Sequence, residues 1–428
     1  MKVQLHWYSP LDAQASEIAR YSRQTLPYLE RLLEISAVCD GSGEASAPWW
    51  PAEQHRTGIE RGVAPLPVYH IGNNPQHLPI FQRSLEEPGL VVLHDLSLVD
   101  LAKHLSHHLG QPELWKEMMT RQYGDDIRGL VNRSENTVAD HNEMVANYPL
   151  FQPFIAGALG VLVHSRYARE ALLKQLGDTV PVRQLYLPAL PSPEPSPGAG
   201  PTGPLQFIFC GHVGPNRRLL EFFEAWGALA DPARLRLSLF GNIHNQRQLL
   251  QYAEHFSLAD YIDFRGYVSD AELDEALHLA HFAINLRWPT MGEASASQLR
   301  YWSAALPTLV SDVGWYGELP DDTACKISVA HETADIQALL EDAIADPAKY
   351  QRIGRNGWAY LQSQHSVETY AAGLADFAAQ LVQDRLACRT LDRDLVGLVA
   401  GMCDNETDTR LFRDAIETAV ATLARANH

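Results

Sequence analysis

The sequence predicts an α/β chain with two separate parallel sheets, each covered by helices. Three observations carry this expectation. Short apolar runs alternate with longer helical patterns. The alternation stops and starts afresh across a Pro-, Ser- and Gly-rich stretch at 187–204. The 428 residues are enough for two hydrophobic cores at roughly 150 residues per domain.

In chain order, the first half offers strands at VQLHWY (Val3–Tyr8), LEISAV (Leu33–Val38), PVYHI (Pro67–Ile71), GLVVLH (Gly89–His94) and LGVLVH (Leu159–His164). Several end in a small or polar residue that leads into a helix. Residues 96–158 read as a mostly helical insert rich in His, Met and aromatic side chains. Extra packing is the first reading of this insert, and the lining of a binding groove is the second. The stretch LPALPSPEPSPGAGPTGP at 187–204 holds no helix and has almost nothing apolar to bury, so it reads as a domain boundary, with a long surface loop inside one domain as the alternative. Beyond it the rhythm resumes with LQFIFCG (Leu205–Gly211), LRLSLFG (Leu235–Gly241), IDFRG (Ile262–Gly266), HFAINL (His281–Leu286) and PTLVSD (Pro307–Asp312). Residues 335–428 carry apolar side chains at helical spacing. The expected division is a domain at 1–186, a linker at 187–204, a domain at 205–375 and a helical tail at 376–428.

With 34 basic and 52 acidic residues the net charge is -18, which disfavours a nucleic-acid partner, whose affinity rests on Lys and Arg against phosphate. A basic membrane-binding patch is disfavoured for the same reason. Cys39, Cys210, Cys325, Cys388 and Cys403 are scattered and form no CxxC pair, so neither a disulfide framework nor a Cys-ligated zinc site is indicated. The N-terminus lacks a secretory apolar core, and no segment approaches the ~20 apolar residues of a membrane helix. The sequence reads as cytoplasmic, with room for no more than peripheral contact at the inner face of a membrane.

The chemistry concentrates in FAINLRWPTMGEASASQLRYWSAALPTLVSDVGWYGELP, residues 282–320. A strand runs into Arg287, then a loop of small residues (Thr290, Gly292, Ala294, Ser295, Ala296, Ser297), then a helix. Small side chains let backbone approach a ligand, and free N–H groups at a helix start attract an anion such as a diphosphate. Glu293, at the mouth of the loop, would be repelled by phosphate but can accept hydrogen bonds from neutral hydroxyls, such as those of a sugar. GHVGPNRRLLEFFEAW (211–226) places Arg217 where a guanidinium can bind phosphate oxygens, whereas the adjacent Arg218 reads as solvated. VVLHDLSL puts His94 and Asp95 at the end of an apolar run, where an α/β sheet places its ligand. Ser165 reads as a helix cap.

In these residues, together with YHIGNN, VLVHSRYARE and FCGHVGPNRR, the chain resembles the retaining nucleotide-sugar glycosyltransferases of the two-domain GT-B fold, the group 1 or family-4-like branch. The family's C-terminal pattern runs P-S, a gap, E-G-F-G-L-P, E-A and then G-x-P-V-V. This chain supplies Pro289-Thr290, Glu293, Leu306-Pro307 and LVSDVG. The resemblance implies two Rossmann-like domains facing a cleft, with the tail packing back on the first. It implies a nucleoside-diphosphate sugar as donor, no cofactor and no metal. A glycan, a glycolipid or a protein would be the acceptor.

By resemblance, Glu293 contacts donor-sugar hydroxyls, His94 faces the reacting sugar and Arg217 stabilises the leaving diphosphate. These three form the expected catalytic set. Donor binding is expected at Gly211, His212, Arg217, Arg287, Thr290, Gly292, Glu293, Ala294, Ser295 and Arg300, and acceptor binding at Ser16, Asn73 and Asp95. Three departures from the family pattern stand out. Arg300 takes the place of a ribose-binding glutamate, His212 that of an arginine, and Glu17 that of a glycine in the loop Ala15-Ser16-Glu17-Ile18. His104, His107 and His108 have metal-like spacing but no partnering carboxylate set, and they read as a solvated or packed face. Asp125-Asp126 and Asp321-Asp322 form no strand-end DxD. GDP-mannose and UDP-hexose donors both fit, and the oligomeric state is open. A non-catalytic sugar-nucleotide-binding subunit and a GT-B epimerase or phosphorylase share the architecture. A periplasmic-type sugar-binding protein would need an export signal.

Overall fold

The computed structural model describes residues 2–12, 16–41, 65–193, 203–243 and 245–400, with side chains to Arg385. Ala15, positions 194–202 of the expected linker and positions 401–428 of the expected tail lie outside the described residues.

The first half runs β1 (Gln4–Tyr8), α1 (Glu17–Leu29), β2 (Glu34–Cys39), β3 (Leu66–Ile71), α2 (Leu78–Glu86), β4 (Gly89–Leu93), α3 (Val99–His108), α4 (Leu114–Tyr123), α5 (Arg128–Arg133), α6 (Val138–Asn147), β5 (Ala158–Val163), α7 (Arg166–Leu176) and β6 (Val182–Gln184). The second half runs β7 (Leu205–Cys210), α8 (Leu219–Gly227), β8 (Leu235–Phe240), α9 (Gln246–His255), β9 (Ile262–Gly266), α10 (Asp270–Leu279), β10 (Phe282–Asn285), α11 (Ala296–Ser303), β11 (Thr308–Ser311), α12 (Gly314–Gly317), β12 (Cys325–Ile327), α13 (Glu332–Ala345), α14 (Pro347–Gln364) and α15 (Val367–Ala400).

Among the described residues the strands form two six-stranded sheets, ordered β2-β1-β3-β4-β5-β6 and β12-β11-β10-β7-β8-β9. Every pairing is parallel. The ten strands read from the sequence are present, with ends within one residue. The two that the sequence did not announce, β6 and β12, are three-residue edge strands, too short for an apolar run. Central β3 and β4 are buried throughout because helices cover both faces, which is why they read as unbroken apolar runs. Edge strand β9 alternates half-buried Ile262 and Phe264 with exposed Asp263 and Arg265.

The insert packs on one face of the first sheet. Leu101, Leu105, Trp115, Met119, Met144 and Phe151 join Tyr69, Ile71, Val91 and Leu93 in one core. Helix α15 supplies Tyr370, Leu374, Phe377 and Leu381 to the opposite face, against Leu5, Trp7, Leu26 and Val92. Each such buried side chain contributes about 1.5–3 kcal/mol relative to exposure, so the first part of α15 is held firmly against the first sheet and α1.

Polar contacts among the described residues join the halves at several points, three of them near the strand ends. The Met291 carbonyl accepts from the backbone N–H groups of Leu96 (2.7 Å) and Ser97 (2.8 Å). The Glu318 carboxylate accepts from the N–H of Arg166 (3.0 Å) and of Tyr167, at the start of α7. Arg20 on α1 donates to Asp270 on α10 at 2.8 Å. Gly292, at φ +80, is required at the first of these, because a Cβ there would lie 2.5 Å from that of Leu96.

Candidate active site

Each sheet order reverses once, between β1 and β3 in the first half and between β7 and β10 in the second. Loops leaving adjacent strands at such a reversal diverge to opposite faces and leave a crevice beyond the carboxyl ends of the strands. Arg217 follows β7, and Arg287 and Glu293 follow β10, so all three border the crevice of the second sheet. Asn73 follows β3, and His94 and Asp95 follow β4, on the side of the first sheet.

From β7 the chain passes Gly211, at φ +132, and exposed His212 before a 3-10 turn at Pro215–Arg217. The residue Arg217 is half-buried, yet its Nη1 is shut off from solvent without a hydrogen-bond partner. Burial lowers its pKa, and the neighbouring Tyr316, Tyr301, Cys210 and Asp95 oppose that shift. A buried cationic donor with no partner is costly and marks a place made for an anion. Arg218 points away, but it is not solvated as the sequence suggested. It takes a left-handed conformation (φ 56) and pairs with Glu332 at 2.6 Å and Glu221 at 2.7 Å, so it fastens α8 to α13.

Beyond β10, Arg287 and Glu293 are both buried and form an ion pair with each other. The second Glu293 oxygen accepts from Thr290 Oγ1 at 3.0 Å, and that hydroxyl accepts from the Gly292 N–H at 3.0 Å. Half-buried Ala294 leads to Ser295, whose hydroxyl caps α11 by accepting from the Gln298 N–H at 3.2 Å. Asn285 Nδ2 also donates to it at 3.2 Å, so the serine hydroxyl is committed to the fold and its neighbourhood offers backbone rather than side chain to a ligand.

The donor contact expected of Arg300 is not supported. Its face of α11 turns toward α10, where it pairs with Asp270 (3.1 Å) and Asp274 (2.8 Å), one helical turn apart. Arg300→Ala is therefore expected to leave nucleoside-diphosphate affinity within about twofold. It should cost no more than ~1 kcal/mol of stability, the scale of a solvent-facing ion pair, as read by calorimetric titration and urea unfolding.

In the first half, His94 and His70 share a hydrogen bond of 2.9 Å between Nε2 and Nδ1. The His70, His164 and Tyr21 rings surround His94 at centroid distances of 5.2, 5.1 and 5.3 Å. Burial and the neighbouring imidazoles hold His94 well below the usual histidine range, so it is neutral. Asp95 accepts from the Asn73 N–H at 2.7 Å. Burial pushes its carboxyl up to about 6, Asp100 adds to the rise, and the Asn73 N–H and Arg217 oppose it. Asp95 and Arg217 thus sense one another from opposite halves. Gly72 leaves room for Asp95 within the first half, since a Cβ there would lie 2.8 Å from Ile18 Cδ1, 2.9 Å from His77 Nε2 and 3.2 Å from Asp95 Oδ2.

Two expected acceptor ligands are occupied elsewhere. Asn73 Oδ1 accepts from the N–H groups of Asp100 (2.9 Å) and Leu101 (3.0 Å), and its Nδ2 donates to Asp100 at 3.0 Å, so it caps α3. Ser16 caps α1, accepting from the Ile18 N–H at 3.2 Å. Ser165 caps α7 through the Ala168 N–H at 3.0 Å, as the sequence indicated. His104, His107 and His108 are exposed. Among the described residues no group of three His, Cys, Asp or Glu side chains could hold a metal ion, and no helix is long and apolar enough to cross a membrane.

Sequence reasoning did not single out His70 or His77. Both are fully buried; a histidine inside the apolar strand PVYHI is the signal His70 leaves, whereas His77 sits in the polar stretch NNPQH and leaves none.

Residues 195–359 match the family model described as glycosyl transferases, group 1. No curated protein matches the chain. Among solved structures, the chain is similar to sucrose-phosphate synthase from Thermosynechococcus elongatus at 14% identity, covering 90% of this chain and 100% of that one with a TM-score of 0.57. It is similar to WaaG, a glycosyltransferase involved in lipopolysaccharide biosynthesis, at 14% identity, 88% and 99% coverage and a TM-score of 0.53. It is also similar to Anabaena HepE, solved with UDP and glucose, at 12% identity, 89% and 100% coverage and a TM-score of 0.53. At these identities the likeness to the three structures is one of fold.

Proposed function

For a chain that is a glycosyltransferase of the group 1 type on a GT-B fold, we propose a metal-independent transfer of a mannose- or glucose-type hexose from a nucleoside-diphosphate sugar to a glycan, lipid-linked or protein acceptor, with retention of configuration. Residues 205–375 hold the donor and residues 1–186 the acceptor, with 187–204 linking them and the tail from 376 returning to the first half.

The observation that carries this reading is the partnerless Nη1 of Arg217 at the reversal point of the second sheet, on a side chain within electrostatic reach of Asp95 of the first. As the glycosidic bond breaks, negative charge grows on the diphosphate, and a fixed guanidinium in a water-poor cleft stabilises that charge without reorganising. Glu293 accepts from the hydroxyls of the hexose. The acceptor hydroxyl lies beside Asp95 and neutral His94 and passes its proton to the departing phosphate oxygen on the same face of the sugar. Holding donor and acceptor in register across two halves supplies the positional part of the acceleration.

A thermal-shift panel of UDP, GDP and ADP, followed by product analysis with radiolabelled sugar nucleotide with and without acceptor, tests this. One diphosphate, at a hundredfold its Kd, should stabilise the fold by about 2.7 kcal/mol and raise the melting temperature by several degrees. UDP is the first probe, since HepE holds it. Label should then appear in a larger product only when acceptor is present. Binding without turnover over a broad acceptor panel would favour a non-catalytic subunit, and a donor-only product would favour an epimerase. No shift with any nucleotide ends the proposal.

A further inference from the structure

We infer that Arg287 is a positioning residue, whose guanidinium fixes the Glu293 carboxylate so that it reads the hydroxyls of the donor sugar; it does not grip the diphosphate. The inference rests on the nucleotide-sugar reading above.

Both side chains are buried and paired to one another. The end of β10 is pinned, because the Arg287 N–H donates to Ser311 Oγ at 2.8 Å. The carboxylate is held from two sides, by the guanidinium on one oxygen and by Thr290 Oγ1 at 3.0 Å on the other. Its orientation is therefore set before any ligand arrives. A phosphate on Arg287 would have to share one guanidinium with the buried Glu293 carboxylate, setting a dianion against an anion that is already in place. Arg217 has no such competitor, and its Nη1 is free of partners. The two cations thus divide the work, one neutralised by its own carboxylate and one awaiting a charge.

A second observation fixes the chemistry of the ligand. The Nε of Arg287 is buried without a hydrogen-bond partner. The pair therefore presents an unused cationic donor beside a carboxylate that only accepts. A sugar hydroxyl satisfies both, donating to Glu293 while accepting from Nε, whereas a phosphate oxygen has no proton to give. The site favours a hexose with a free hydroxyl at this point over its deoxy analogue.

Calorimetric titration with UDP, UDP-glucose, GDP and GDP-mannose tests this on the full chain. In Arg287→Gln the Kd of the parent diphosphate should stay within about threefold of wild type. The affinity of the sugar nucleotide relative to its diphosphate should fall about tenfold, the scale of one charge-assisted hydrogen bond. Glu293→Gln should do the same, and the double variant should be no worse than either single one, because the two residues act as a unit. Arg287→Lys keeps the charge but loses the planar fork, and should restore only part of the sugar increment. Should the single variants fail to fold, Arg287→Met/Glu293→Met removes both charges together and is the tolerated replacement of a buried pair. It should bind the diphosphate normally and lose the sugar increment. A loss of tenfold or more that is equal for diphosphate and sugar nucleotide, in Arg287→Gln or in the double methionine variant, would make Arg287 a phosphate ligand and overturn the inference alone. Absence of binding to wild type overturns the nucleotide-sugar reading and this inference with it.

Discussion

Arg217→Ala is expected to abolish the rise in melting temperature that a nucleoside diphosphate produces and to lower kcat/KM about a thousandfold, the upper range for removing one preorganised charge-stabilising donor. The unliganded protein should melt no lower than wild type. That combination is unusual, because deleting a buried arginine normally leaves a buried carboxylate without its partner and costs several kcal/mol. Here Nη1 has no hydrogen-bond partner to abandon, and the buried Asp95 carboxylate, which Arg217 favours, can take up a proton in its place. The Phe209 ring has its centroid 6.0 Å from the guanidinium carbon, at the outer limit of a cation–π contact. Desolvation already disfavours the charge, so its removal relieves the free protein while emptying the anion site. Arg217→Lys keeps a cation but loses bidentate geometry, and should retain part of both effects. Differential scanning fluorimetry with and without UDP, alongside initial-rate kinetics, reads all three quantities. A diphosphate shift that survives in the alanine variant places the phosphate elsewhere.

What the sequence revealed and what it hid follow from the range of the interactions involved. Strands such as β3 and β4 were legible because burial on both faces leaves an uninterrupted apolar run. The positions of Arg217 and Glu293 at the mouths of β7 and β10 were legible because strand-end loops carry the ligands of a parallel sheet. Long-range partners left no local trace. Arg300 meets Asp270 and Asp274, on a different helix, and Asn73 caps a helix 27 residues further on. Local pattern shows that a side chain is polar, but not that its hydrogen bonds are already taken. Arg287 illustrates the cost. It shares a segment with Glu293, yet from spacing alone a cation near a phosphate loop reads as a phosphate ligand, and only the buried pairing redirects it.

Acidification from pH 7 to pH 5 is expected to remove a large part of the folding stability, and the cause lies beneath the first-half site. Burial lowers His77, His164 and His365 to about 4, and His70 and His94 are also held well below their ordinary range. The Nδ1 atoms of His77, His164 and His365 point at the carbonyls of His70 (2.8 Å), Leu185 (3.2 Å) and Leu187 (2.7 Å). A carbonyl only accepts, so these nitrogens carry the proton, and the buried Nε2 lone pairs are left without donors. Above pH ~6.5 the imidazoles are neutral whether the chain is folded or not, and the stability is whole. As pH falls from 6.5 toward 4 the unfolded chain takes up protons that the folded chain refuses, so stability is progressively lost. At pH 5 each of the three histidines costs about 2 kcal/mol, on the scale of 1.36 kcal/mol per pKa unit. Asp95 works the other way. Its folded value of about 6 lies above the ordinary carboxylate range, so the folded chain gains a proton between pH 6 and 4, returning roughly 1–2 kcal/mol. The histidines together cost several kcal/mol more than Asp95 returns, a substantial share of a typical total of 5–15 kcal/mol. Urea unfolding at half-unit pH intervals should show the midpoint falling steeply below pH 6.5. His164→Gln, whose amide can still donate to the Leu185 carbonyl, should flatten the slope by up to one proton. A midpoint that is level between pH 7 and 5, or a slope unmoved by that variant, would show that these imidazoles are not held neutral by the fold.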